Sequence, residues 1–362
     1  MKTLKWAMCF VVSATLTIVL VSCGGPRALR APSGYRCAGM AFSPDGSALA
    51  MAYDAHESPH RGMVLELRAW PSLKRRWRVE VEEEYGSIMS PVAFSPGGDE
   101  LALLTRYRLW RYSIEGELLT DIPFQEDPRI AGEGLPLTVR YVPDGSLAVL
   151  IDRDGSLFLV RYDREGNPSG DAIPVGDESW ISWSRPFSAD GRFLAYVEEF
   201  HVVGLVDLTT GEVKEWDLRE KLRVKPSGDW LRAVWGVAVH PRGTEIALGL
   251  RADQPGLPQV MRLDAASGEV IEEFLPAEGE DAFICALTYS RDGSLLAAMA
   301  CSSPFKGTLV LRSLATGGLE PVCDSEKDES CLSRYISFSP QARFLALLRG
   351  NRVVFVKVPE QE

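Results

Sequence analysis

Short apolar runs alternate with tight-turn residues along most of the chain. From Cys37 onward, runs rich in Val, Ile, Leu, Phe and Tyr are separated by Pro, Asp, Gly, Ser and Thr. Apolar runs of this length, bounded by turn residues, predict β-strands, and none of them has the length and period of an amphipathic helix. The pattern therefore predicts an all-β domain.

One turn recurs seven times. Its first copy, Ala41–Gly46, reads Ala-Phe-Ser-Pro-Asp-Gly, in which Pro44 suits the second position of a type I turn and Gly46 accepts a positive φ. The Pro44 position returns at intervals of 46 to 52 residues, at these residues: Pro96, Pro143, Ala189, Pro241, Arg291 and Pro340. A period of this length indicates a repeat architecture. We number the repeats 1 to 7 by these turns.

A second turn lies later in most repeats. Its clearest copies are Asp207–Glu212 and Asp264–Glu269, which end in Thr-Gly-Glu and Ser-Gly-Glu. Apolar runs flank both turns, so each repeat holds four short strands, here called a to d. Repeats of four antiparallel strands are typical of a β-propeller. We therefore predict a seven-bladed propeller of four-stranded antiparallel blades over residues 37–358, followed by a short tail at 359–362.

The recurring turn resembles that of WD-repeat-like propellers and, more narrowly, the Phe-Ser-Pro-Asp-Gly turn of bacterial TolB-like proteins. The resemblance covers roughly residues 37–358. The Trp-Asp dipeptide that ends strand c in WD repeats is missing from most repeats, and Trp216-Asp217 lies one strand later. The resemblance implies the propeller fold and, since TolB-like proteins work in envelope complexes, a role in the cell envelope. It implies no particular activity, because propellers host many unrelated functions.

The last repeat ends after its strand c. In WD-repeat proteins, a strand from the other terminus often closes the ring. Residues 26–36 could supply that strand here, although their sequence is a poor match to a strand. A last blade of only three strands is the alternative.

Residues 1–22 have the features of a lipoprotein signal peptide that forms a signal helix. Two lysines precede an apolar run that is shorter than the roughly 20 residues needed to span a bilayer. The following Leu-Val-Ser-Cys resembles a bacterial lipobox, which makes Cys23 the predicted site of lipidation and residues 23–36 a short tether. An uncleaved anchor and an ordinary secretory signal are the alternatives. By resemblance, Gly24 favours the outer membrane over the cell membrane, with the propeller in the periplasm or outside the cell.

The chain carries a net charge of −11, and loss of the signal lysines would make it more acidic. An acidic surface argues against nucleic-acid binding and against docking on anionic lipid by charge. We therefore predict contact with the membrane only through the lipid anchor at Cys23.

Five cysteines follow the lipidation site, and an exported protein can keep disulfides. Cys323 and Cys331 bracket one acidic loop and are the best candidate pair. Cys285 and Cys301 flank the turn of repeat 6 and could meet on strands a and b, with buried free thiols as the alternative. With Cys37 the count is odd, so at least one thiol has no partner within the chain. No spacing matches a zinc site.

Long, irregular connections predict the place of a binding site. In an up-and-down blade, the a–b and c–d turns share one face, and the b–c and d–a connections, which vary most in length, share the other. Loops on a rigid scaffold usually carry binding, and exposed aromatic residues are typical interface anchors. We therefore predict that the b–c/d–a face binds a partner, with these candidate residues: Phe124, Trp180, Trp183, Trp230 and Phe305. Packing of each ring between blades is the alternative.

Residues with catalytic or metal-binding chemistry are few. His240 occupies a turn-serine position, which predicts a structural role, and His201 lies beside two glutamates in a short b–c link, where we expect solvent. His56 and His60 lie four apart near two acidic residues, but the proline between them argues against a helix presenting both to one metal. No nucleophile elbow, phosphate-binding loop or Ser/His/Asp constellation occurs. We predict no catalytic residues, metal or cofactor.

The main functional prediction is a non-enzymatic, membrane-anchored lipoprotein. It would serve as a protein-interaction or assembly scaffold in the bacterial cell envelope, by docking an envelope protein or peptide on the loop-rich face or in the channel. One alternative is an enzyme, a propeller lactonase or a hydrolase of sugar or peptide material, which acidic residues converging at the channel would favour. The other is a sensor for a small ligand or glycan, which a concave channel lined by aromatic residues would favour.

Overall fold

The structure is a computed structural model. It describes the following residues: 27–55, 62–82, 91–130, 134–177, 186–222, 232–252, 256–276, 283–303, 306–324, 335–349 and 351–359. Cys23 and the predicted signal peptide lie outside these ranges. In the part of the chain described, no helix is long and apolar enough to cross a membrane.

Nearly all regular structure is strand. The first half of the chain contains β1 (Arg27–Arg30), β2 (Tyr35–Phe42), β3 (Ala48–Ala55), β4 (Met63–Ala69), β5 (Arg75–Val81), β6 (Val92–Phe94), β7 (Glu100–Leu104), β8 (Arg108–Ser113), β9 (Leu118–Pro123), β10 (Leu135–Tyr141), β11 (Leu147–Arg153), β12 (Ser156–Tyr162) and β13 (Pro168–Asp177). The second half contains β14 (Phe193–Glu198), β15 (Val202–Asp207), β16 (Val213–Asp217), β17 (Arg232–Val239), β18 (Glu245–Ala252), β19 (Val260–Asp264), β20 (Val270–Phe274), β21 (Phe283–Tyr289), β22 (Leu295–Ser303), β23 (Lys306–Ser313), β24 (Leu319–Asp324), β25 (Tyr335–Phe338), β26 (Phe344–Arg349) and β27 (Arg352–Lys357). Short helical turns occur at Phe124–Glu126 and Arg219–Leu222.

The strands pair antiparallel within each repeat, in chain order from a to d. Separate four-stranded sheets are formed by β2–β5, β6–β9 and β10–β13. Repeat 4 has the three strands β14–β16, and Phe187 adds an isolated bridge to Leu194 at the place of strand a. The strands β17–β20 and β21–β24 join into one sheet through the pair Arg251–Phe283. The chain is therefore an all-β propeller with four-stranded antiparallel blades, as the turn pattern predicts.

The N-terminal strand completes the last sheet. β1 pairs antiparallel with β27, with Arg27 opposite Phe355 and Arg30 opposite Arg352. The strand order in this sheet is β1-β27-β26-β25, so the start of the chain supplies its outer strand. The sheet of repeat 7 therefore has four strands, and the alternative of a three-stranded last blade does not apply.

The hydrophobic core lies between successive repeats rather than within them. One cluster joins Leu65 and Leu67 of repeat 1 to Leu101 and Leu103 of repeat 2, and all four are fully buried. Burial of one such side chain contributes roughly 1.5–3 kcal/mol. Because each cluster needs walls from two repeats, a single repeat cannot bury its own apolar faces.

One of these contacts contains a buried arginine between repeats 2 and 3. Arg111 donates to Glu100 Oε2 from Nη2 (2.6 Å) and Nε (3.2 Å), and it also donates to the carbonyl of Arg164. The hydroxyl of Tyr141, in repeat 3, donates to the same Glu100 oxygen at 3.1 Å. We call this group the Glu100 seam.

A related group lies between repeats 5 and 6. Arg262 donates to Glu245 Oε2 from Nη2 (2.5 Å) and Nε (3.2 Å), and to Glu272 Oε2 from Nη1 (2.6 Å). The other oxygen of Glu272 accepts from Arg312 in repeat 6. Tyr289 takes the place that Tyr141 has in the first seam. We call this group the Glu245 seam.

Candidate functional site

The same side-chain hydrogen bonds hold the recurring turn in repeats 1, 4 and 6. In repeat 1, the Ser43 hydroxyl donates to Asp45 Oδ1 (2.6 Å) and accepts from the Ala48 amide (2.8 Å). The corresponding serines and aspartates make both bonds in repeats 4 and 6. Short polar side chains favour turns because they bond to nearby backbone groups. The residues beside each turn are therefore held in defined positions.

Two of these turns pack closely against the turn of the preceding repeat through their glycine. Gly46 has a φ of +71°, and a Cβ there would lie 2.2 Å from Gln341 Nε2 of repeat 7. Gly293 has a φ of +76°, and its Cβ would lie 2.1 Å from His240 Nε2 of repeat 5. Glycine at these two positions therefore suits both the positive φ and the close approach of the neighbouring side chain. In repeat 7 the same position is taken by Ala342, at a φ of 54°.

A cavity of about 310 Å³ lies at the centre of this ring of turns. Every repeat contributes to its lining, through the end of strand a and the turn that follows. The residue before the turn serine, or its equivalent, is aromatic in six repeats and lines the cavity, at these positions: Phe42, Phe94, Tyr141, Phe187, Tyr289 and Phe338. Small-molecule sites have volumes of this order and are mostly apolar with a few polar groups. The cavity is therefore our candidate functional site.

Polar groups enter the cavity at a few positions. Arg140 and Arg291 carry positive charge, and Thr138 and Thr288 add hydroxyl groups. Asp190 is the one carboxylate among the lining residues that the structure describes. The site therefore combines aromatic walls with a local excess of positive charge, on a protein whose net charge is −11.

The two oxygens of Asp190 differ in the hydrogen bonds that they make among the described residues. Its Oδ1 accepts from the Ser188 hydroxyl (2.6 Å) and from the Arg192 amide (3.1 Å), as the turn requires. Both bonds go to one oxygen, so Oδ2 is the atom that could act on a ligand. The converging acidic residues that would favour a lactonase do not occur in the described lining.

The cavity opens on the face opposite to the predicted binding face, because the a–b turns surround it. Phe124 is 3% exposed, and its ring centroid lies 6.3 Å from that of Tyr162, so it belongs to the core instead of serving as an exposed anchor. The other aromatic candidates lie outside the described residues: Trp180, Trp183, Trp230 and Phe305. Their binding role stays a prediction.

Sequence reasoning missed the two cavity arginines, although both leave a signal. Arg291 stands at the position where most repeats have proline, and Arg140 stands where the others have a smaller residue. A position at which a residue departs from its own repeat is a candidate for function. The repeat pattern was sufficient to reveal these departures.

The cysteines of repeat 6 form a disulfide, Cys285–Cys301, with their Cα atoms 6.1 Å apart. Cys323 is also disulfide-bonded, and its partner lies outside the described residues. Pairing with Cys331 therefore stays a prediction. Cys37 is a free, buried thiol, and burial raises its pKa to about 12.

The expectation that His201 is solvated is wrong. Its side chain is 2% exposed, Nδ1 lies 2.7 Å from the Glu199 carbonyl oxygen, and Nε2 accepts from Arg219 Nε at 2.7 Å. The short b–c turn folds the ring inward, where these partners replace water. His240 takes the structural place of a turn serine, since its Nδ1 accepts from the Arg242 amide at 3.2 Å.

Neither a family model nor a curated protein matches the chain. Many solved structures do match it. One is described as an oligogalacturonate lyase in complex with manganese, and it matches with a TM-score of 0.60 and 15% sequence identity over 93% of this chain and 96% of that chain. At this identity the likeness shows the propeller fold alone.

The same comparison overturns the predicted scaffold role. The matched propeller is an enzyme, so the prediction of a non-enzymatic interaction scaffold is wrong, and the enzyme alternative has the better support. The error has a physical cause. Turns and strand alternation specify a propeller, whereas propellers with the same repeat host many unrelated functions.

The manganese of that structure has no matching ligand set in the described part of this chain. No group of three or more His, Cys, Asp or Glu there could hold a metal ion. His56 and His60 lie outside the described ranges. The described cavity residues instead offer guanidinium, hydroxyl and single-carboxylate chemistry.

Proposed function

We propose that this chain is an enzyme that cleaves a saccharide-type substrate in the axial cavity. The observation that carries the proposal is the cavity itself, with its aromatic walls, two arginines and one carboxylate. Aromatic rings offer large flat surfaces for the apolar faces of sugar rings, and a few polar groups orient a ligand. The likeness to an oligogalacturonate lyase supports the same class of substrate.

Asp190 is the candidate acid–base group of this enzyme. Its Oδ1 is held by Ser188 and Arg192, which orients the carboxylate, and Oδ2 is the atom that would exchange a proton with the substrate. A positioned carboxylate contributes typically ~10²–10⁴-fold to the rate of such a step. The guanidinium groups of Arg140 and Arg291 would stabilise negative charge in the transition state.

Incubation of the purified chain with a panel of soluble polysaccharides and oligogalacturonate tests this proposal. We expect shortened products by chromatography, and a kcat lowered by about 100-fold or more in Asp190→Asn. Asparagine keeps an acceptor oxygen for the turn but cannot take a proton. Asp292→Asn is the matched control, because Asp292 makes the same turn in repeat 6 without lining the cavity.

The control variant should keep the activity of the original protein. Equal activity of Asp190→Asn and Asp292→Asn would remove Asp190 from the mechanism. Failure of the folded protein to shorten any member of the panel would refute the proposed enzyme.

The ring is proposed to contain seven blades, related to the WD-repeat-like and TolB-like propellers. Seven copies of the turn support this count, as do separate core clusters for each pair of neighbouring repeats, repeats 7 and 1 included. The eight-stranded sheet divides naturally at the single pair Arg251–Phe283. An electron-microscopy average down the ring axis would count the blades directly.

Lipidation at Cys23 is also a proposal, and it rests on the lipobox-like sequence. Since β1 begins at Arg27, the anchor would hold the cavity-bearing domain close to an envelope membrane. In a bacterial host, Cys23→Ser should move the protein from the membrane to the soluble fraction. Retention of that variant in the membrane would refute lipidation as the anchor.

A further inference from the structure

At two positions around the cavity, one repeat has an arginine where the other repeats have none. Three residues before the proline position, repeat 3 has Arg140, whereas the other repeats have small residues or proline, as follows: Ala41, Ala93, Pro186, Ala238, Thr288 and Ser337. At the proline position itself, repeat 6 has Arg291. The turns of repeats 1 and 4 form their internal hydrogen bonds without arginine at these positions, so the turn itself does not require either cation.

The two arginines belong to repeats 3 and 6, which lie on different sides of the ring. Both line the cavity. Arg140 donates to the carbonyl of Ala189 in the next repeat, and Arg291 reaches past repeat 7 to donate to the carbonyl of Pro44 in repeat 1. These bonds hold the guanidinium groups at the turns that surround the cavity.

The remaining lining suits an anion with hydroxyl groups. Asp190 brings the one negative charge among the described lining residues, and its Oδ1 is occupied by the turn. Thr288 and Ser337 also line the cavity; their hydroxyls donate to the carbonyls of Tyr289 and Phe338 and can still accept from a ligand hydroxyl. Guanidinium groups bind carboxylates through paired, charge-assisted hydrogen bonds.

We propose that the cavity selects a carboxylate-bearing saccharide, whose carboxylates are bound by Arg140 and Arg291. This inference rests on the proposed function for the site, and it names the class of substrate. Two cations on different repeats suit a substrate with more than one acidic unit, such as a short chain of sugar acids. A neutral saccharide of equal length would offer no anion to either guanidinium group.

Binding measurements on repeat-restoring variants test this inference. Arg291→Pro and Arg140→Ala each put back a residue that other repeats carry at the same position, so both variants should fold. Calorimetry would compare a short oligogalacturonate with a neutral oligogalactose of the same length. Arg242→Ala is the matched control, because Arg242 is an exposed turn arginine that does not line the cavity.

We expect each cavity variant to bind the acidic oligomer about 10- to 100-fold more weakly, which is the effect of losing a hydrogen bond to a charged group. Arg242→Ala should bind it like the original protein. The neutral oligomer should bind weakly to all of them and show no dependence on either arginine.

The outcomes separate this inference from the proposed function. Arginine-dependent binding of the acidic oligomer without any cleavage would support the inference and refute the enzyme. Cleavage of a neutral saccharide that is unchanged in both arginine variants would support the enzyme and overturn the inference. Absence of arginine-dependent binding by the acidic oligomer overturns it in every case.

Discussion

The Glu100 and Glu245 seams use the same residue types at positions three repeats apart, yet they distribute charge differently. Arg111 binds one carboxylate and a backbone carbonyl, whereas Arg262 binds two carboxylates, the second of which continues to Arg312 in the next repeat. Both arginines are buried. A buried ion is stable only while its partners remain, so loss of the same group should affect the two seams unequally.

The tyrosines of the two seams also differ. The Tyr141 hydroxyl donates to Glu100 Oε2, whereas the Tyr289 hydroxyl is buried with no hydrogen-bond partner among the described residues. Burial raises the pKa of both phenols. The same backbone repeat can thus carry different polar networks, because the partners of each polar group come from side chains on neighbouring strands.

The largest expected difference comes from removing the central guanidinium. Arg262→Met keeps the apolar stem but leaves Glu245 and Glu272 without their shared partner, and we expect a loss of about 3 kcal/mol in the free energy of unfolding. Arg111→Met removes the guanidinium partner of one carboxylate, Glu100, and should lower the free energy of unfolding by about 2 kcal/mol. Urea unfolding of both variants measures the difference. If Arg262→Met lost no more stability than Arg111→Met, the second carboxylate, Glu272, would add nothing to the seam.

A second prediction concerns the strand-d residue that distinguishes the seams. Glu272 lies opposite Arg262 in the sheet, and the residue opposite Arg111 is Thr120. Glu272→Thr therefore gives the second seam the composition of the first, and it should cost about 1–2 kcal/mol because the bonds from Arg262 and Arg312 are lost. As a control, urea unfolding would compare Glu272→Thr, Arg312→Met and the variant that carries both changes. The cost of the double change should be smaller than the sum of the two single costs, since both changes remove the Glu272–Arg312 bond.

A third, smaller difference separates the two tyrosines. Tyr141→Phe removes a hydrogen bond to a carboxylate and should destabilise the protein by about 1 kcal/mol. Tyr289→Phe removes a hydroxyl that has no partner in the described structure, so it should be neutral or slightly stabilising. The midpoints of thermal unfolding of the two variants, compared with that of the original protein, test this difference. A clear loss in Tyr289→Phe would show that this hydroxyl is bonded after all.

The smallest effect at neutral pH involves His240, which stands in the Glu245 seam where the Glu100 seam has Ser95. Burial, as the largest cause, lowers the pKa of His240 below its ordinary value of 6.5, although Glu245 opposes the shift. The unfolded chain then binds the proton more readily, so stability falls as pH drops below about 6.5. We expect His240→Ser to lose less thermal stability than the original protein between pH 7.5 and 5.5.

Ser95→Ala, measured at the same two pH values, is the control for His240→Ser. Ser95→Ala should leave the pH dependence unchanged, because no histidine is altered, while lowering stability at every pH through loss of the turn bond to Asp99. An identical pH dependence in His240→Ser and the original protein would exclude His240 as the titrating group.

Much of the fold could be predicted from the sequence, because its determinants are local. Ser43, Asp45 and Gly46 lie within one turn, and their bonds and φ values follow from neighbours in the chain. The site could be predicted less well. The polar partners of Arg262, and the choice between the two arrangements of repeat 7, depend on strand neighbours that the repeat pattern does not specify. Phe124 is predicted on the binding face because its connection is irregular, whereas the structure has it in the core, which is the alternative.

The sequence by itself determined that this protein is a propeller of short antiparallel strands, because turn chemistry and strand alternation act over a few residues. Only the tertiary structure decided which face holds the cavity and which residues meet there. Arg291 and Pro44 are 247 positions apart, yet they are in contact at the turns that surround the cavity. Contacts of this kind arise when the repeats pack in a ring, so no local pattern encodes them.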